Sequence, residues 1–164
     1  MDTSLSKWDK RFIDLANHIA SWSKDETQVG CVIVGQNKEI LSTGYNGFPY
    51  RVEEKEERNN RPTKYLFTEH AERNAIYHAA RNGISLKGST LYLSNLHEHV
   101  YMPCADCARA IIQSGISKVV CCNQEFKTDS IWYESIIASC NMLLEAGIEL
   151  VLYKKEKRNE QLCM

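Results

Sequence analysis

Thr90-Leu91-Tyr92-Leu93, Cys104 to Gln113, Lys118-Val119-Val120-Cys121-Cys122, Ser130 to Glu145 and Ile148 to Tyr153 read in turn as strand, helix, strand, helix and strand. The strand segments are short and apolar. The segments between them are longer and stop at Ser114-Gly115 and at Gly147, where glycine ends a helix. Such alternation favours parallel strands joined by right-handed helical crossovers.

Toward the N-terminus the pattern changes. Ala71 to Arg81 favours helix, stopped by Asn82-Gly83. Val29 to Val34 is an apolar, β-branched run, Gly35-Gln36-Asn37-Lys38 has turn chemistry, and Glu39 to Tyr45 returns as the second arm of a hairpin. Trp8, Phe12, Leu15, Ile19 and Trp22 recur at helical spacing, which predicts an amphipathic helix over 8–22 that packs on a sheet. Residues 50–64 are polar and predict a solvated loop, with a helical turn held by a Glu54–Arg58 pair. The alternative is a lid or specificity segment. The order helix, hairpin, helix, strand, helix, strand, helix, strand gives an α/β fold: a five-stranded mixed sheet with helices on both faces.

The chain has 164 residues, enough for one domain over 1–164. Its core is expected at about 8–153, followed by a charged tail at 154–164. A formal net charge of -1 gives no broad attraction to nucleic acid or to an anionic membrane. No apolar run approaches membrane-spanning length and no secretory pattern opens the chain. Seven cysteines, an odd count without small-scaffold spacing, read as reduced thiols of a cytoplasmic protein.

Two short stretches carry chemistry. His70-Ala71-Glu72 and Pro103-Cys104-Ala105-Asp106-Cys107 together offer one imidazole, two thiols and one carboxylate. A structural zinc site takes four protein ligands, whereas a catalytic one takes three and keeps a position open for water. His70, Cys104 and Cys107 make three, and Glu72 is left to move protons. Both motifs fall at predicted helix starts, where unpaired N–H groups and the helix dipole favour the thiolate that binds zinc. Zinc lowers the pKa of bound water to about 7. Two other readings stand beside this one: the cysteine pair serves a structural zinc, although no second pair exists to close it, or His70 and the cysteines never meet. Cys31, Cys121, Cys122, Cys140 and Cys163 read as small core or tail residues. His97 and His99 invite a second-metal reading, but two exposed histidines on a loop are more often neither ligand nor catalyst.

The paired H-x-E and P-C-x-x-C motifs are identified as the zinc deaminase pattern. The likeness extends to Ser23-Lys24-Asp25 with Val29-Gly30, to Gly44-Tyr45-Asn46-Gly47-Phe48-Pro49, to His70 through Ile76, and to Ala110 through Ile116. Over residues 8–153 the chain resembles the deoxycytidylate (dCMP) deaminases. The resemblance implies a three-layer α/β/α, cytidine-deaminase-like fold and hydrolytic deamination of dCMP to dUMP and ammonia. It implies that His70, Cys104 and Cys107 bind zinc and that Glu72 shuttles protons. Asn46 would bond the sugar hydroxyl and the backbone of Ala71 would hold the pyrimidine edge. It further implies a homo-oligomer built from dimers, often a hexamer, with a nucleotide effector and Mg2+.

Three positions depart from the family. Trp22 stands where many relatives carry an arginine facing the phosphate, leaving Lys24 as the available point charge. Glu69 precedes the motif histidine and is expected to pair with Arg73. The loop around His97 and His99 is longer than usual. Arg81 ends the helix after His70 and is a candidate interface or phosphate contact, while Trp132 and Tyr133 are expected packing anchors, with a place at the border of the pocket mouth as the alternative. The alternatives to a dCMP deaminase are a deaminase of free nucleosides or of another amino-bearing base, and a non-catalytic nucleotide sensor. A polynucleotide editor would need a basic face that the net charge does not supply.

Overall fold

The computed structural model describes residues 5–96, 102–123 and 130–154. His97, His99 and the tail beyond Lys154 lie outside the described residues. The elements run α1 (Lys7–Ala20), β1 (Gly30–Val34), β2 (Ile40–Tyr45), α2 (Glu56–Asn59), α3 (Lys64–Phe67), α4 (Ala71–Arg81), β3 (Thr90–Leu93), α5 (Ala105–Gln113), β4 (Lys118–Cys122), α6 (Tyr133–Glu145) and β5 (Glu149–Tyr153). The five strands form one sheet in the order β2-β1-β3-β4-β5. β1 pairs antiparallel with both β2 and β3, and β3, β4 and β5 run parallel. The sheet is therefore mixed, as the sequence pattern predicts.

Because successive strand side chains point to opposite faces, each strand feeds two cores. Cys31, Ile33, Leu91, Leu93, Val119 and Cys121 face α4, α5 and α6. Val32, Val34, Tyr92, Val120 and Cys122 face α1. The strand order β3, β4, β5 advances in one direction, and the crossover helices α5 and α6 fall on one face with α4, while α1 covers the other. This gives three layers.

Two glycines allow the helices to sit this close. A Cβ on Gly30 would stand 2.1 Å from the carbonyl oxygen of Ala16 in α1, and one on Gly44 would stand 2.4 Å from the carbonyl oxygen of Ala71 in α4. The hairpin thus presses α4, which follows His70, directly onto β2.

The first helix buries Phe12, Ile13, Ala16, Ile19 and Ala20, a face rotated from the predicted one. Trp8 and Trp22 are 40% and 53% exposed, and Leu15 is only partly buried. The helix ends at Ala20, so Trp22 lies beyond its periodicity, and Trp8 is held at the surface between Arg11 and Lys38 by cation–π contacts. Residues 50–64 also depart from expectation. They contain α2 and lead into α3, and the Glu54–Arg58 pair is not made. Glu54 instead takes the Lys24 ammonium at 2.5 Å, while Arg58 donates to the Glu53 carbonyl and lies over the Phe67 ring.

Candidate metal centre

His70 and Cys104 occupy the same position in two helices. Each is the N-cap residue, of α4 and α5 respectively, in extended conformation, and neither side chain makes a capping bond. An N-cap side chain usually folds back onto the first-turn N–H groups. Here both are left free to point outward, and they point at each other. Cys107, in the first turn of α5, joins them.

The donor atoms of His70, Cys104 and Cys107 all lie within 4.8 Å of one another. His70 Nδ1 stands 3.5 Å from the sulfur of Cys104 and 3.5 Å from that of Cys107. A tetrahedral zinc with ordinary bond lengths needs nitrogen–sulfur edges of about 3.6 Å. The donor set therefore fits zinc in both identity and spacing. Among the described residues no other group of three or more such donors is gathered.

The electrostatics agree with a cation site. The Cys107 thiol beside it brings Cys104 down to about 4, against burial and with help from His70. The Cys104 side chain in turn pushes Cys107 upward and holds the His70 imidazolium, raised to about 9. Cys104 is thus held as thiolate, while Cys107 and His70 retain protons that a divalent cation displaces on binding. Glu72 lies in the first turn of α4 and is 4% exposed. Burial raises its carboxyl above the ordinary value. A buried carboxyl beside an open metal position is suited to giving and taking protons.

Glu69 braces the histidine. Its Oε1 accepts from the His70 backbone N–H at 3.0 Å and from Arg73 Nε at 2.6 Å, which is the expected pair with one addition. Its backbone exchanges two hydrogen bonds with Gly47, of 2.8 and 3.0 Å. Through that pair the Gly44–Pro49 segment is fixed beside the histidine. Asn74 adds a bond to the Tyr45 carbonyl at 2.9 Å.

Asn46 is buried, and its amide is engaged by the backbone. Oδ1 accepts from the Val29 N–H at 2.8 Å and Nδ2 donates to the Thr27 carbonyl at 2.8 Å. One N–H and one lone pair remain for a ligand. Asn46 lines a small pocket with Trp22, Lys24, Tyr45, Phe48 and Glu54. Lys24 is in that pocket, but its ammonium is paired with Glu54. Ala71 is fully buried at the start of α4. Arg81 lies in a second cavity, of about 380 Å³, lined by Tyr50, Tyr77 and His78 and also by Glu69 and Asn74, with its guanidinium 4.2 Å from the Tyr50 ring centroid.

Sequence reasoning missed Ser135. Its hydroxyl accepts the Ala105 N–H at 3.0 Å, across 30 residues of chain. Nothing in the local pattern of α6 marks that serine apart from its neighbours.

The family model described as the cytidine and deoxycytidylate deaminase zinc-binding region matches residues 6–123. A protein of Aliivibrio fischeri, described as an uncharacterized deaminase in the luxG 3′ region, is 44% identical over 147 residues, which is 89% of this chain and 93% of that protein. The probable deoxycytidylate deaminase of Drosophila melanogaster is 34% identical and is covered to 74%, against 92% of this chain. The dCMP deaminase of cyanophage S-TIM5, solved in complex with dCMP and dUMP, superposes with a TM-score of 0.67 at 27% identity, covering 91% of this chain and 98% of that one.

Proposed function

The chain belongs to the cytidine and deoxycytidylate deaminase family, and on that premise we propose that it hydrolyses dCMP to dUMP and ammonia. The observation that carries this reading is the triad of His70, Cys104 and Cys107 at tetrahedral spacing, with the buried Glu72 beside it. We assign the three as zinc ligands and Glu72 as the proton shuttle. Held by His70, Cys104 and Cys107, zinc would supply a water of lowered pKa as the nucleophile. Glu72 takes one proton of the attacking water and passes it to ring N3, then takes the second from the C4 hydroxyl and delivers it to the departing amine. The C4–O bond forms, the C4–N bond breaks, and ammonia carries the proton away.

Asn46 and the Ala71 backbone are assigned to the sugar and the pyrimidine edge. Asn46 keeps a free N–H and a free lone pair for this while its other two bonds hold it in place. Lys24 meets a 5′-phosphate only by exchanging it for Glu54. Arg81, stacked on Tyr50, is assigned to a subunit contact or to a nucleotide phosphate. Chain length and the cysteine pattern support one domain over 1–164 and a cytoplasmic location, and the resemblance supports a dimer-based homo-oligomer up to a hexamer, with a nucleotide effector and Mg2+. No helix among the described residues is long and apolar enough to cross a membrane.

The test is a rate comparison of dCMP, deoxycytidine, cytosine and an adenine nucleotide, with metal content measured on the same preparation. Turnover of dCMP by protein holding one zinc per chain is expected. Efficient turnover of deoxycytidine with dCMP inert refutes the substrate, and full activity in metal-free protein refutes the site.

A further inference from the structure

Both ligand-bearing helix starts are touched by one turn of a third helix. We propose that Trp132 and Ser135, at the start of α6, are positioning residues that hold His70 and Cys104 in the geometry the metal requires. This rests on the zinc reading above.

The argument begins with an unmet need. The first turn of a helix leaves N–H groups without partners, and the N-cap side chain usually takes one. In α5 the N-cap is Cys104, which makes no such bond. If its sulfur folded back to cap the helix, it would leave His70, from which it now stands 3.5 Å away. The first N–H of α5, that of Ala105, goes to Ser135 Oγ at 3.0 Å instead. Ser135 therefore pins the start of α5 from outside, at the peptide N–H directly after Cys104, and so fixes where that thiol stands.

Trp132 does the corresponding service for the histidine. It is the N-cap residue of α6, three positions before Ser135 and hence on the same side of the first turn. Its ring centroid lies 6.1 Å from that of His70, edge to face at 62°. That contact opposes rotation of the imidazole, which would carry Nδ1 away from both sulfurs. Partners that orient metal ligands without touching the metal commonly govern how long the metal stays bound.

The test uses the full chain loaded with zinc. Zinc release to a chromogenic chelator is timed for wild type, Ser135→Ala, Ser135→Thr and Trp132→Leu. Leu143→Ala serves as a control that weakens the packing of α6 in the shared core, eight residues beyond Ser135 and without altering the Ser135 or Trp132 side chain. Cobalt-loaded samples report the sulfur-to-metal absorption band. Release about tenfold faster in Ser135→Ala and in Trp132→Leu is expected, with a shifted cobalt band. Ser135→Thr, which keeps the acceptor, should release at the wild-type rate. Should Ser135→Ala fail to fold by circular dichroism, Trp132→Leu, on a half-exposed side chain, carries the test alone. Wild-type release in either variant overturns the role of that residue. Equal acceleration in Leu143→Ala overturns the proposal by reducing it to loss of stability. Wild-type protein that holds no zinc would instead overturn the reading on which this rests.

Discussion

Replacing Gly44 by alanine tests whether the distance between hairpin and metal helix matters to the chemistry. A Cβ at Gly44 would stand 2.4 Å from the Ala71 carbonyl oxygen and 2.4 Å from the Ala75 nitrogen. Ordinary contact begins at about 3.4 Å, so helix and strand must part by roughly 1 Å. Both of these atoms are backbone of α4, which no side-chain rotation can move. Overpacking of this kind costs about 1–3 kcal/mol, a fall in Tm of roughly 2–10 °C for a chain of this size. The helix that moves carries His70 at its cap and Glu72 in its first turn. A misplacement of about 1 Å at reacting groups lowers rate about 100-fold. Gly30→Ala is the matched control. Its Cβ would meet the Ala16 carbonyl oxygen at 2.1 Å, on the opposite face of the sheet, against a helix that bears none of the site. Melting curves and kcat/KM per zinc-loaded chain are measured for both. Both variants should lose stability, and only Gly44→Ala should lose most of its activity per folded molecule. Equal loss of activity in the two, or full activity in Gly44→Ala, refutes the reasoning.

Other consequences are narrower. Glu72→Gln, which keeps the size of a 4%-exposed side chain and removes its acidity, should lower kcat about 100- to 10,000-fold with zinc content unchanged; near-normal turnover would remove the proton-shuttle role. Asn46→Ala strips two backbone bonds and should cost about 1–3 kcal/mol and raise KM for dCMP without loss of metal. Normal kinetics in that variant would leave Asn46 as a strand-end brace alone. The third concerns acid. Burial alone would raise the Asp25 carboxyl, but the Lys64 ammonium at 2.7 Å and the Thr27 N–H outweigh it and hold it below the ordinary value. A depressed carboxyl stabilises the fold fully above its unfolded pKa, near 3.9, and this is lost as pH falls through the folded value. Thermal melts should therefore show Asp25→Asn below wild type at pH 6, with the gap closing below about pH 4; a gap independent of pH would mean the carboxylate charge contributes nothing.

How much of this was legible in the chain follows from where each interaction lies along it. The sheet was legible because its strands are short apolar runs and its helices end at Gly83, Gly115 and Gly147, each at positive φ. The donor set was legible because metal chemistry restricts ligands to a few residue types at fixed spacing, and the Glu69–Arg73 pair because its members stand only four residues apart, across the start of α4. The readings that failed depended on partners remote in sequence. The Glu54–Arg58 pair is equally local, yet Glu54 is taken by Lys24, thirty residues away, and Arg58 by the Phe67 ring. Local spacing sets which pairs are possible, and the assembled surface sets which are made. Trp22 looked like part of a buried stripe because periodicity carries no mark of where a helix stops. Ser135 is the limiting case. A serine early in a helix has no local signature of capping a different helix, and only the approach of α6 to α5 gives it a partner. If it governs zinc residence as proposed, the residues that hold a metal site in shape will be found by asking which orphaned N–H groups beside the ligands are satisfied from a distance, since motif spacing alone identifies the ligands and leaves their supports unmarked.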